Sequence, residues 1–215
     1  MIPLSFLLTK KISEETSRAS DAASENRRSS VNISPRMLTI LLSIAGAGCC
    51  VAMSMPQVHI VAFCIDLGYG PAVGAEMLSL MLIGGIISRL INGLLADKLG
   101  GVYTLLIGST LQCIALFLYL PFDGLVSLYI VSAVFGLSQG GIVPSYAIII
   151  REYLPGAEAG TRVGFVMMCT ITGMAIGGWM SGWIYDITGS YAAAFWNGII
   201  WNFLNIGIVL FLINQ

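Results

Sequence analysis

The sequence has few charged residues for its length. Only 10% of its 215 residues are Asp, Glu, Lys or Arg, whereas 57% are hydrophobic. An ordinary soluble domain carries about 25% charged residues. The shortage of charge therefore excludes an ordinary soluble domain and indicates an integral membrane protein whose surroundings are the lipid bilayer.

The residue types that bind metals and activate nucleophiles are also scarce. His59 is the only histidine, and the five cysteines lie in apolar runs without paired metal-binding spacing. A cysteine in such a run most often serves as a small buried hydrophobic residue. The sequence also has no glycine-rich phosphate-binding loop with its lysine, which argues against an ATP-driven pump. We expect no metal site, no cofactor and no nucleic-acid partner.

What the sequence does contain is long apolar runs. Each run is close to or above the roughly 20 residues that cross about 30 Å of hydrocarbon as a helix. They predict an all-α membrane protein with six transmembrane helices in a domain of residues 37–215. The runs lie at about residues 37–65, 74–96, 102–120, 125–150, 162–185 and 191–213.

The segment before the first run has two parts. Residues 1–8 are apolar but too short to span a membrane, and no signal-peptide cleavage site follows them. Residues 9–36 are rich in Ser, Glu, Lys and Arg, a composition typical of disorder. We interpret residues 1–8 as the remnant of a preceding helix and residues 9–36 as a disordered cytoplasmic linker.

The positions of the cations predict the orientation in the membrane. Nine of the ten Lys and Arg fall in the segment before the first helix, the second-to-third loop or the fourth-to-fifth loop. Loops that stay in the cytoplasm carry such an excess of Lys and Arg. We expect a multi-pass protein of the bacterial plasma (inner) membrane with both termini in the cytoplasm.

A short pattern repeats along the chain. Gly-x-x-x-Asp-x-x-Gly closes the second predicted helix at residues 93–100 and the fifth at residues 182–189. The repeat is three helices long, so the two triplets must cross the membrane in opposite senses. Two inverted three-helix repeats are typical of a large class of secondary transporters.

The tenth cation, Arg89, is predicted to lie inside the second helix. It precedes Asp97 by eight residues, or about 12 Å of helix, which places it near the middle of the membrane. A guanidinium at that depth costs several kcal/mol and most often faces a cavity. Every Asp and Glu falls in a loop or at a helix end. Arg89 therefore suits a transported carboxylate held by two parallel hydrogen bonds, although pairing with a buried carboxylate or carbonyls that fixes helix packing stays open.

Three further polar residues are candidates for the same cavity. His59 can relay protons or bind substrate, but a structural hydrogen bond is almost equally expected. Asn92, one turn from Arg89, can line the cavity or bridge helices. Gln139 precedes Gly140, Gly141 and Pro144, which interrupt the fourth run. Such a break exposes backbone groups to a cavity or is a packing kink.

The loop after the second helix contains residues that can form a tight contact with the next helix. Glycine in this loop allows a neighbouring helix to approach. Asp97 can cap the next helix or accept hydrogen bonds from its first amides, and Lys98 can reach an acidic or carbonyl partner. In isolation this is an ordinary tight turn.

Arg89-x-x-x-Gly93-x-x-x-Asp97-Lys98-x-Gly100 resembles the second-helix and loop pattern in the C-terminal half of major facilitator superfamily transporters. Together with PQVH at residues 56–59, DLG at 66–68 and GWIYDITGSY at 182–191, it resembles the monocarboxylate and oxalate/formate antiporter branch.

The resemblance implies a secondary transporter, not an enzyme, that moves a small organic anion by alternating access. Arg89 would hold the substrate carboxylate, with His59, Asn92 and Gln139 lining the cavity. The loop residues Gly93, Asp97, Lys98 and Gly100 would form the cytoplasmic gate. The partner would be a missing N-terminal half or a second copy.

Two departures from the branch bear on mechanism. Proton-coupled members carry an aspartate one turn before the arginine, where this chain has Gly85. Oxalate-exchanging members carry a lysine in the helix that corresponds to residues 162–185, where this chain has no interior Lys or Arg. The first departure argues against proton coupling through that aspartate, and the second favours a monoanion over a dianion.

Two other functions compete with transport. A truncated half that is inactive alone, or that acts only with a partner half, is the first alternative. An intramembrane serine hydrolase is the second, because GLSQG at residues 136–140 fits the Gly-x-Ser-x-Gly pattern. That chemistry needs a histidine beside the serine, and His59 is predicted near the opposite face.

Overall fold

The computed structural model describes residues 33–215, and all regular structure in this range is α-helical. The predicted helix remnant at residues 1–8 and nearly all of the predicted linker lie outside the described residues. The helices are α1 (Pro35–Asp66), α2 (Pro71–Leu99), α3 (Gly101–Leu118), α4 (Leu125–Gln139), α5 (Ile142–Tyr153), α6 (Gly156–Thr188) and α7 (Tyr191–Ile213).

These helices form six spans that are long and apolar enough to cross a membrane, with α4 and α5 together making the fourth. The prediction of six transmembrane helices is therefore confirmed. The helices of the second and fifth spans extend beyond their predicted apolar runs at both ends, by residues 71–73 and 97–99 in α2 and by residues 156–161 and 186–188 in α6. The first span begins at Pro35, two residues earlier than predicted. Ser34 caps it by accepting a hydrogen bond from the Met37 N–H, at 3.3 Å.

The packing of the helices follows the inverted repeat. The helix α1 packs against α6 and α7, whereas α4 packs against α2 and both α4 and α5 pack against α3. Exchanging the first triplet of spans for the second converts one set of contacts into the other. The third and sixth spans, α3 and α7, also pack against each other.

The two copies of the repeated sequence pattern end in the same way. Gly100 ends α2 and Gly189 ends α6, and their φ angles are +83° and +64°. Glycine adopts such angles without the steric cost that a side chain adds. Each glycine therefore stops its helix at the corresponding place of its repeat.

Burial divides the helices into a centre and a periphery. In the most apolar stretch of α1, 72% of the residues are buried, compared with 22% in both α2 and α6. The buried interior is mostly apolar, but one polar network joins three helices. Within it, the Tyr146 hydroxyl donates to Asn205 Oδ1 at 2.8 Å, and Asn205 Nδ2 donates to Ser109 Oγ at 2.7 Å. All three residues are buried and hydrogen-bonded, as polar groups away from water need to be.

Candidate functional site

A cavity of about 440 Å³ lies between α1, α2, the broken fourth span and α6. Arg89 is the one charged residue among those that line it, and Gln57 and Gln139 supply the polar side chains. The remaining lining residues are apolar or glycine, namely Met53, Leu82, Gly85, Ile86, Gly140, Val143 and Met174. The site is therefore a single cation and two amides on an apolar wall.

The position of Arg89 depends on a close contact between α2 and the break at Gly140 and Gly141. A Cβ at Gly140 would lie 2.1 Å from the Gly85 carbonyl oxygen and 2.8 Å from Ser88 Cβ, so only glycine fits. This approach brings the Gly140 carbonyl beside the arginine one turn after Gly85. Arg89 Nε donates to that carbonyl at 3.3 Å.

The rest of the guanidinium is available to a ligand. Within residues 33–215, Arg89 makes no ion pair, and its one hydrogen bond is the bond from Nε to the Gly140 carbonyl. The N–H groups of the two terminal nitrogens make no hydrogen bond to residues 33–215, and the side chain is exposed. A planar pair of N–H donors in this arrangement matches the two oxygens of a carboxylate.

The two amides of the site are joined across helices. Gln57 Nε2 donates to Gln139 Oε1 at 2.7 Å, which links α1 to α4. Sequence reasoning named Gln139 but not Gln57 as a candidate. The sequence feature that could have indicated Gln57 is a polar amide directly after Pro56 in an otherwise apolar helix. The bond leaves the Gln57 oxygen and the Gln139 NH₂ group for other partners.

Asn92 lies outside the lining of this cavity. Its Nδ2 donates to the Ser88 carbonyl at 2.8 Å and to Ser88 Oγ at 3.0 Å. Gly141 packs so closely that a Cβ there would lie 2.1 Å from Asn92 Cβ. The contacts with α2's own turn and with Gly141 place Asn92 between helices.

His59 also lies outside the lining. Its Nε2 is 2.8 Å from the Gly178 carbonyl oxygen, which can only accept, so Nε2 carries the proton. The ring lies 6.1 Å from that of Tyr191. This hydrogen bond links α1 to α6. It is the structural hydrogen bond that the sequence analysis gave as the alternative to a role in binding.

The loop between α2 and α3 borders a second cavity of about 550 Å³. Asp97, Lys98 and Gly100 line it together with Glu152 of α5, whereas Gly93 lies in open space. The Gly101 N–H donates to both carboxylate oxygens of Glu152, at 3.2 and 3.0 Å. The prediction that Asp97 accepts from the first amides of the next helix is wrong for the Gly101 N–H, because the carboxylate of Glu152, 51 residues after Gly101, occupies that position.

The geometry gives no support to the serine hydrolase. Ser138 is buried, and its hydroxyl donates to the Phe135 carbonyl at 2.7 Å within its own helix. His59, the only histidine of the chain, is hydrogen-bonded to Gly178. The pairing of serine with histidine that activates the nucleophile is therefore not formed.

Comparison with known proteins gives the family. The model of the Major Facilitator Superfamily matches residues 40–215. Monocarboxylate transporter 13 of Rattus norvegicus is 28% identical over 159 residues, which are 73% of this chain and 36% of the rat protein. The chain thus spans about a third of that relative.

Solved structures share the fold. The Escherichia coli fucose:proton symporter superposes with a TM-score of 0.70 at 16% identity, over 97% of this chain and 51% of the symporter. The POT family transporter PepTSo gives a TM-score of 0.72 at 17% identity, over 83% of this chain and 37% of that transporter. The match of the family model over residues 40–215 shows that the chain belongs to the Major Facilitator Superfamily.

Proposed function

We propose that the protein transports a small organic monoanion, such as a monocarboxylate, across the membrane by alternating access. The observation that carries this proposal is the guanidinium of Arg89 in the cavity, with both terminal nitrogens free of protein partners in residues 33–215. Charge-assisted, bidentate hydrogen bonds from such a group are strong where water is scarce. The name of the rat relative, monocarboxylate transporter 13, supports the same substrate class.

The lining favours one carboxylate over two. Among the residues that line the cavity, Arg89 is the single cation, so a second carboxylate would face no opposite charge. The side chains of Met53, Leu82 and Ile86 offer an apolar wall for the remainder of the substrate. The free oxygen of Gln57 and the free NH₂ of Gln139 can each take one hydrogen bond from it.

Alternating access needs a second six-helix unit opposite this one. The chain corresponds to 51% of the fucose symporter. On α2, Leu90 and Leu94 leave about two thirds of their surface exposed, at 70% and 69%, beside the exposed Arg89. We propose that an N-terminal half or a second copy of the chain covers this side and completes the cavity.

The remaining candidates act around this site in our proposal. Gly93, Asp97, Lys98 and Gly100 form a gating loop at the cytoplasmic end, while His59 and Asn92 reach the substrate only when the helices move. The excess of Lys and Arg in the loops of one side supports the proposal that both termini lie in the cytoplasm. Labelling of Lys98→Cys by a membrane-impermeant thiol reagent tests the orientation. The proposal requires labelling from the cytoplasmic side alone.

Uptake by proteoliposomes tests the function. Radiolabelled acetate, propionate and butyrate serve as probes, and Arg89→Ala and Arg89→Lys are compared with the matched control Arg151→Lys. Arg151 is an exposed arginine at the end of α5. We expect uptake of at least one probe by the wild type and the control, and none above background in the Arg89 variants, although all four insert equally. Unchanged uptake in both Arg89 variants would falsify the proposal.

A further inference from the structure

Pro144 lies four residues after Gly140 and therefore removes the N–H that would otherwise donate to the Gly140 carbonyl. In an α-helix the carbonyl of one residue accepts from the N–H four residues later. The residue four after Gly140 is Pro144, which has no N–H. The Gly140 carbonyl therefore has no such partner in its own span.

The helical bonding pattern resumes at the residue after Gly140. The Gly141 carbonyl accepts from the Ser145 N–H at 3.2 Å and from Ser145 Oγ at 2.8 Å. Gly140 itself is buried against α2. A buried carbonyl without a donor is destabilising, and Arg89 Nε supplies the donor at 3.3 Å.

We propose that Pro144 is a positioning residue for Arg89. By removing one backbone N–H, it reserves the Gly140 carbonyl for Nε. Because the guanidinium is planar and rigid, fixing Nε also fixes the direction of the two terminal nitrogens. The free edge of the guanidinium is thereby held toward the cavity. The effect on transport rests on the proposed function, whereas the contact itself does not.

Restoring the N–H at position 144 should release Arg89. In Pro144→Ala the new N–H competes for the Gly140 carbonyl, so Arg89 loses its fixed orientation. We expect the KM for the transported monocarboxylate to rise about tenfold, the equivalent of one lost charge-assisted hydrogen bond. We expect Vmax to stay within about twofold, because the turnover steps do not involve this bond.

A spectroscopic measurement follows the contact without any substrate. The protein is labelled with ¹⁵N-arginine in lipid nanodiscs, and the Nε–H signal of Arg89 is assigned by its absence in Arg89→Lys. The rate of exchange of this N–H with water should rise at least about fivefold in Pro144→Ala, because a free N–H exchanges faster than a bonded one. Ser145→Ala is the matched control. It removes the neighbouring side-chain bond to Gly141 and should leave the Arg89 signal unchanged.

Pro144→Ser, which also restores the N–H, gives a second variant if the alanine variant does not fold. Unchanged Nε–H exchange in the variant that folds overturns the proposal, and so does a fall in Vmax with KM constant. If the wild type neither takes up nor binds any probe, the proposed function fails, and the exchange rate still decides whether Pro144 positions Arg89.

Discussion

At the scale of single residues, the guanidinium of Arg89 has a hydrogen-bond partner but no partner of opposite charge within residues 33–215. An arginine inside a membrane-spanning helix commonly pairs with another charged group or with backbone carbonyls. Arg89 Nε donates to a backbone carbonyl, and no carboxylate among residues 33–215 balances its charge. The position one turn earlier, where a carboxylate would balance it, is Gly85. A Cβ built on Gly85 meets only the Gly136 carbonyl oxygen, at 4.0 Å. A Cβ therefore fits there without a clash.

The first prediction uses this open position. In Gly85→Asp the ionised carboxylate lies one helical turn from Arg89 and competes with the transported anion. We expect uptake at neutral pH to fall about tenfold and to recover as the pH is lowered, because protonation of the aspartate releases Arg89. Gly85→Asn is the control of equal size. Identical pH profiles of uptake for the two variants would show that position 85 does not communicate with the substrate.

At the scale of helices, the contact between α2 and the break at Gly140 and Gly141 positions the arginine. Met81 and Gly85 of α2 meet Gly136 and Gly140 of the fourth span backbone to backbone. Small residues at this spacing let two helices approach closely. The same principle operates between α6 and α1, where Gly173 approaches the Ala47 backbone.

The second prediction compares two glycines in different surroundings. Gly140→Ala puts a Cβ into the α2 backbone, whereas nothing lies within 4 Å of a Cβ at Gly164 in α6. We expect Gly140→Ala to lower the free energy of unfolding by about 1–3 kcal/mol. Gly164→Ala should raise it by up to about 1 kcal/mol, as in an ordinary helix. Denaturant titrations in detergent measure both, and equal effects of the two substitutions would contradict the close contact.

Sequence reasoning finds these helices more readily than their contacts. Six spans follow from hydrophobicity because a membrane imposes one minimum length on every helix. The break is also visible locally, in two adjacent glycines and Pro144. The bond between Gln57 and Gln139 joins residues 82 positions apart, and the Glu152 carboxylate takes the place expected for Asp97. Such pairings depend on how helices pack, which no local pattern contains.

At the scale of the whole molecule, the six spans form one six-helix unit of the Major Facilitator Superfamily fold. The inverted repeat places the broken fourth span opposite the intact α1, and the cavity opens between them. Arg89 lies on α2, one of the two least buried helices, and its side chain is exposed among residues 33–215. The account therefore depends on whether the chain binds an anion through Arg89, independently of how the second unit is supplied.

Equilibrium binding to the purified protein tests this most directly. Radiolabelled acetate, propionate and butyrate are titrated onto the wild type, Arg89→Ala, Arg89→Lys and the control Arg151→Lys. We predict saturable binding of at least one probe with equal Kd in the wild type and the control, and at least about tenfold weaker binding when Arg89 is replaced. Binding of equal strength in Arg89→Ala, or no saturable binding of any probe to the wild type, would contradict the account.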